Sequence, residues 1–131
     1  MNARLYRPED YATAKSWWQS RGIPAMPENA LPACGIVVEN DEHAPQAMAW
    51  IYQDNSIGVA WMAWPVLAPD VKCFRILKTF DALLGGVETV CRSLGRRVIH
   101  VAVDRSSLKK WFLLRGFHKS ADNLTSFVKV I

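Results

Sequence analysis

The chain has no apolar stretch long enough for a bilayer span or a secretory leader, so neither a membrane helix nor a signal segment is expected. Only three of its 131 residues are cysteine, an odd number without paired spacing. That argues against a disulfide framework and for a reducing, cytoplasmic setting. His43 sits in a polar turn and His118 follows a Gly-Phe pair; neither stands at ligand spacing from Cys34, Cys73 or Cys91, so no metal site is expected. Internal repeats and low-complexity tracts are absent as well. The length suits a single domain over 1–131, large enough to bury about two thirds of its unfolded surface.

What is present is unevenly charged. Residues 1–66 hold four Lys/Arg against seven Asp/Glu, a balance of −3, and residues 67–131 hold twelve against five, a balance of +7. A basic half attracts polyanions, whether nucleic acid or a small phosphorylated ligand.

The pattern of apolar residues predicts an α/β chain. Ala3 to Tyr6 reads as a strand, followed by a helix that Pro8, Glu9 and Asp10 start and Gly22 ends. A proline-bearing connection over Ile23 to Ala33 leads to three strand-like runs, Gly35 to Glu39, Gln46 to Gln53 and Ile57 to Pro65. Asn40-Asp41 and Asp54-Asn55-Ser56 turn between them. Cys73, Leu77, Phe80, Leu84, Val87, Cys91 and Leu94 recur at spacings of four and three, the stripe of a long amphipathic helix that Gly95 closes. Val98 to Val103 predicts a strand covered on both faces. A short helix capped by Ser106 or Ser107 and ended by Gly116 comes next, then a hairpin of Phe117 to Ser120 with Ser126 to Ile131.

This order, closing on KKWFLLRGF, resembles the GNAT (GCN5-related) N-acetyltransferases over nearly the whole chain. The resemblance implies a mixed, mainly antiparallel sheet of six to seven strands with helices on both faces, and acetyl-CoA or CoA as cosubstrate. The family holds the CoA diphosphate on a Q/RxxGxG/A loop at the start of the long helix. Here Arg75 takes the Arg/Gln position, and Ile76, Lys78 and Phe80 stand where glycines are common. By resemblance the donor-binding residues are Lys72, Arg75, Ile76, Leu77, Lys78, Thr79 and Phe80, with Met62, Ala63 and Trp64 beside the pantetheine arm.

The catalytic groups of the family are not matched. Phe112 occupies the position of the tyrosine that often protonates the departing thiolate, and a phenyl ring has no proton to give. GVAWMAWP contains no carboxylate or histidine to serve as base. His100 and Asp104 are the candidate catalytic groups, on one face of the predicted strand with Asp104 at its end; a hydrogen-bonded core or edge histidine and a helix-capping aspartate are the favoured readings of them.

Adjacent residues of a helix point about 100° apart, so Trp17 and Trp18 are not both expected in one core; one would mark a binding surface or a homodimer contact. Trp61 and Trp64 bracket the fourth strand and could line a groove for a planar ligand. The expected function is direct acyl transfer from acyl-CoA to an amine on a small molecule or protein. The alternatives are a catalytically inert GNAT-fold binding module and a nucleic-acid-associated protein using Arg96, Arg97, Arg105, Lys109, Lys110 and Arg115. SWWQSRG, LPACGIVVE and AMAWIYQDNS also resemble small GNAT-like proteins of phages and prophages.

Overall fold

The computed structural model describes residues 1–103, 106–125, 127, 129 and 131, in two compact units, Met1–Val101 and Ala102–Ile131. The first unit contains β1 (Asn2–Leu5), α1 (Tyr11–Ser20), β2 (Gly35–Glu39), β3 (Pro45–Gln53), β4 (Val59–Leu67), α2 (Cys73–Ser93) and β5 (Val98–Val101). Its sheet runs β1-β2-β3-β4-β5, antiparallel through β4, and β5 is added parallel to β4 by the α2 crossover.

Neighbouring residues of β2 show how both faces are covered. Val37 belongs to the cluster under α1, with Ala14, Trp17, Trp18, Met48, Trp50 and Val66. Ile36 points the other way, to α2, where Gly86 lies so close that a β-carbon there would stand 2.8 Å from Ile36 and 3.0 Å from Ala3. Glycine at 86 is therefore what lets the helix reach the sheet.

Three expectations are corrected in this unit. Both Trp17 and Trp18 are buried, because they stand three and four residues beyond Ala14 and flank one stripe; Trp18 packs 5.3 Å from Trp50, ring to ring. The apolar stripe of α2 is buried only at Phe80, Leu84, Val87 and Cys91, joined by Thr79 and Leu83, while Cys73, Leu77 and Leu94 are exposed at the helix ends. Finally, β5 is exposed at Val98 and half-buried elsewhere, since among the described residues it pairs with β4 alone and forms an edge.

The second unit contains α3 (Ser106–Leu114). Gly116, at φ 85°, reverses the chain as the Gly-Phe stop predicts, and the Phe117 amide bonds the Phe112 carbonyl at 3.2 Å. The expected strand at Phe117 to Ser120 does not form; the chain there is irregular, with Lys119 bonded to Asp122 at 3.1 Å and Asn123 in the left-handed region. Of its expected partner strand, Ser126, Val128 and Val130 lie outside the described residues. The sheet thus has five strands among the described residues rather than six or seven.

Candidate functional site

The main irregularity of the sheet lies in β4. Met48 faces Val66 and Trp50 faces Ala63, so Ala49 alone opposes Trp64 and Pro65, which makes a β-bulge. Trp64 is left-handed at φ 54°, a conformation costly for a bulky residue and found where surroundings impose it. Pro65 has no N–H to lose at the bulge. β5 pairs with β4 only from Val59 to Met62, and β4 continues to Leu67. Past Met62, β5 takes none of the backbone hydrogen-bonding groups of β4.

α2 begins just beyond the end of β4. Its N-cap, Lys72, gives no side-chain hydrogen bond to the helix, and the first turn contains no acid. Lys72, Cys73, Phe74 and Arg75 are all exposed. An accessible helix terminus without a side-chain cap presents the amides of Cys73 and Phe74 and the positive end of the helix dipole, both suited to an anion, while the Arg75 amide is bonded to the Lys72 carbonyl at 2.8 Å.

The sequence-predicted donor residues fall into three groups around that terminus. Lys72 marks the start of the helix. Arg75 and Lys78 line a small depression with Met1, Asn40 and Asp41, where the Asp41 carboxylate accepts a bond from the N-terminal ammonium at 3.2 Å. That bond, with further help from Lys78 and Arg75, holds the Asp41 pKa below the ordinary aspartate value. Thr79 and Phe80 are buried in the core, with Ile76 half-buried and Leu77 exposed. Residues 75–80 are thus helical, and of the three side chains at the positions where the resemblance implies glycine, Phe80 is buried, Ile76 half-buried and Lys78 exposed.

Met62 is buried, Ala63 half-buried and Trp64 exposed. The Trp64 indole donates to the Tyr52 hydroxyl at 3.2 Å, and that hydroxyl donates to the Ala30 carbonyl oxygen at 2.7 Å. Tyr52 pairs across the sheet with Trp61, and Trp61 with His100, so the three share a face. The rings of Trp61 and His100 stack at 4.5 Å with 29° between planes. His100 is therefore a half-buried member of an aromatic row, and Asp104 lies outside the described residues. Sequence reading passed over Tyr52; its two-residue spacing from Trp50 and the adjacent turn were the available signals.

In the second unit Phe112 is buried, packing edge-on against Trp111 at 4.8 Å and Phe117 at 4.9 Å. Several basic residues already have partners. Arg96 donates to the Ser56 carbonyl and to Gln53, Arg115 lies over the Trp111 ring, and Lys109 is 3.8 Å from Asp122. Arg97 and Lys110 are exposed, and Arg105 lies outside the described residues. Among the described residues no three His, Cys, Asp or Glu side chains converge on a metal position, and no helix is long and apolar enough to cross a membrane.

No known family pattern and no curated protein sequence matches the chain. Solved structures do. One, described as "a probable acetyltransferase", is 15% identical with a TM-score of 0.73, covering 100% of this chain and 99% of that one. An acetyltransferase of Trypanosoma brucei is 16% identical with a TM-score of 0.66, covering 97% of this chain and 99% of that one. N-acetylglutamate synthase of Neisseria gonorrhoeae, solved with coenzyme A and L-arginine, is 16% identical with a TM-score of 0.71; the match covers 95% of this chain but 29% of that one. With the bulged fourth strand and the parallel crossover that follows it, these likenesses show that the chain has the GNAT acetyltransferase fold.

Proposed function

We propose that the protein is an acyl-CoA-dependent N-acyltransferase, with acetyl-CoA as donor and an amine as acceptor. The observation that carries this reading is the β4 bulge at Trp64 and Pro65, set just ahead of the exposed, uncapped start of α2. In this reading the N–H groups of the first turn of α2, with Lys72, Arg75 and Lys78, hold the diphosphate. The β4 backbone at Met62 to Trp64, beyond the last β5 partner, takes the pantetheine arm and polarises the thioester carbonyl. The amine nitrogen forms the new C–N bond, the C–S bond breaks, and sulfur leaves as thiolate. Phe112 cannot supply its proton, so water does, and water likewise removes the surplus proton from nitrogen.

The second reading, an inert CoA-binding module on the same fold, is favoured by Phe112 and by the absence of acid or histidine from β4. Two measurements separate them. Millimolar acetyl-CoA is expected to raise the thermal midpoint by several degrees, because a ligand that binds only the folded chain stabilises it by mass action. The triple variant Lys72→Ala, Arg75→Ala, Lys78→Ala is expected to lose that shift; no shift in the wild type rejects both readings. Thiol release from acetyl-CoA in the presence of an amine panel then distinguishes the transferase from the module.

A further inference from the structure

The aromatic row on β3, β4 and β5 exceeds what donor binding requires. β4 is an interior strand, yet Trp61 is 42% and Trp64 43% exposed. The α1 cluster on that face ends with Trp50, Val66 and Ala68 and includes neither Tyr52, Trp61 nor His100. Tyr52 links the two, pairing with Trp61 across the sheet and accepting the Trp64 N–H, so half-open indoles on an interior strand present apolar surface of the kind found at ligand sites.

Its polar atoms narrow the class of ligand. The Tyr52 hydroxyl commits its one proton to the Ala30 carbonyl and accepts the Trp64 N–H, so the capacity it retains is a lone pair. It can receive an N–H but cannot donate one. The Asp54 carboxyl, in the turn before β4, has its pKa lowered below the ordinary aspartate value, chiefly by hydrogen bonding to Ser56 and also by the Trp61 indole. The neighbouring cation, Arg96, is bonded to the Ser56 carbonyl and Gln53. Indole faces attract both flat rings and ammonium groups.

We infer that Tyr52, Trp61, Trp64 and His100 form the acceptor subsite, and that it takes a primary amine borne on a short side chain of a flat aromatic ring. The ring lies against the indoles, and the nitrogen donates to the Tyr52 oxygen. The role of acceptor rests on the acyltransferase reading; the preference for an aromatic amine does not.

Ligand-observed NMR titration of the full chain, without acyl donor, tests it with 2-phenylethylamine and 2-cyclohexylethylamine. These share a chain and an amine and differ in ring planarity. The phenyl compound is expected to bind about five-fold tighter, the size of an aromatic pairing. Trp61→Ala removes this preference, Trp61→Phe keeps it, and Tyr52→Phe weakens both amines. Equal or undetectable binding at millimolar concentration, or a preference that survives Trp61→Ala, overturns the site; unchanged binding in Tyr52→Phe overturns the placement of nitrogen. Should Trp61→Ala fail to fold, the wild-type comparison with the two conservative variants decides. A phenyl preference without an acetyl-CoA shift overturns the transferase reading and leaves the amine site standing, and the opposite pair of results does the reverse.

Discussion

Asp10 shows how a single buried carboxylate ties the start of the chain together. Its two oxygens accept both ends of the Arg4 guanidinium at 2.8 Å, and one also accepts the Arg7 amide at 2.8 Å; Arg4 reaches Glu39 of β2 as well. Burial pushes the Asp10 pKa up, but the Arg4 and Arg7 hydrogen bonds outweigh it and leave the group below its ordinary 3.8. A carboxylate whose folded pKa is depressed adds stability in full above that ordinary value, and the contribution disappears as pH falls through the folded pKa. Asp10→Asn is therefore expected to cost about 2 kcal/mol at pH 7. In urea denaturation across a pH series the gap from wild type should close below pH 3.8; a constant gap would show that the ionised form is not what matters.

At the level of elements, α2 contains an internal control. Gly86 faces the sheet, where a β-carbon would meet Ile36 and Ala3, whereas Gly85 next to it faces open space. Gly86→Ala is expected to destabilise by about 1–3 kcal/mol through overpacking. Gly85→Ala should stabilise by up to about 1 kcal/mol, since alanine is the better helix former. Denaturation midpoints that moved the same way for both would show that α2 does not sit down on Ile36. These elements also show what could be read from sequence. β2 was expected at Gly35 to Glu39 and forms there, and Gly22, Gly95 and Gly116 all take the positive φ that their stop positions implied. Local chemistry decides such features. The β4 bulge was not legible, because Trp64 carries no left-handed preference and its conformation is imposed by pairing on both sides of Ala49. The half-exposed β5 was missed for a related reason: an apolar run records the preference for a strand but not the number of its neighbours. Tyr52 enters the site through Ala30 and Trp64, partners 22 and 12 residues away, beyond the reach of motif spacing.

For the molecule as a whole, burial is concentrated in the middle of the sheet. Every residue from Gln46 to Ile51 in β3 is buried, while β1 and β5 form the edges among the described residues. Amide hydrogen exchange should be slowest from Ala47 to Ile51 and fastest from 117 to 125, where no helix or strand forms among the described residues. Comparable protection in the two stretches would contradict this ordering. The three thiols follow the same gradient. Cys91 is enclosed and Cys34 partly so, and burial pushes both pKa values up, whereas Cys73 opens onto solvent as the first residue of α2. The native chain thus supplies one exposed thiol beside the proposed phosphate-binding terminus, an attachment point for a fluorescent reporter that needs no engineered cysteine.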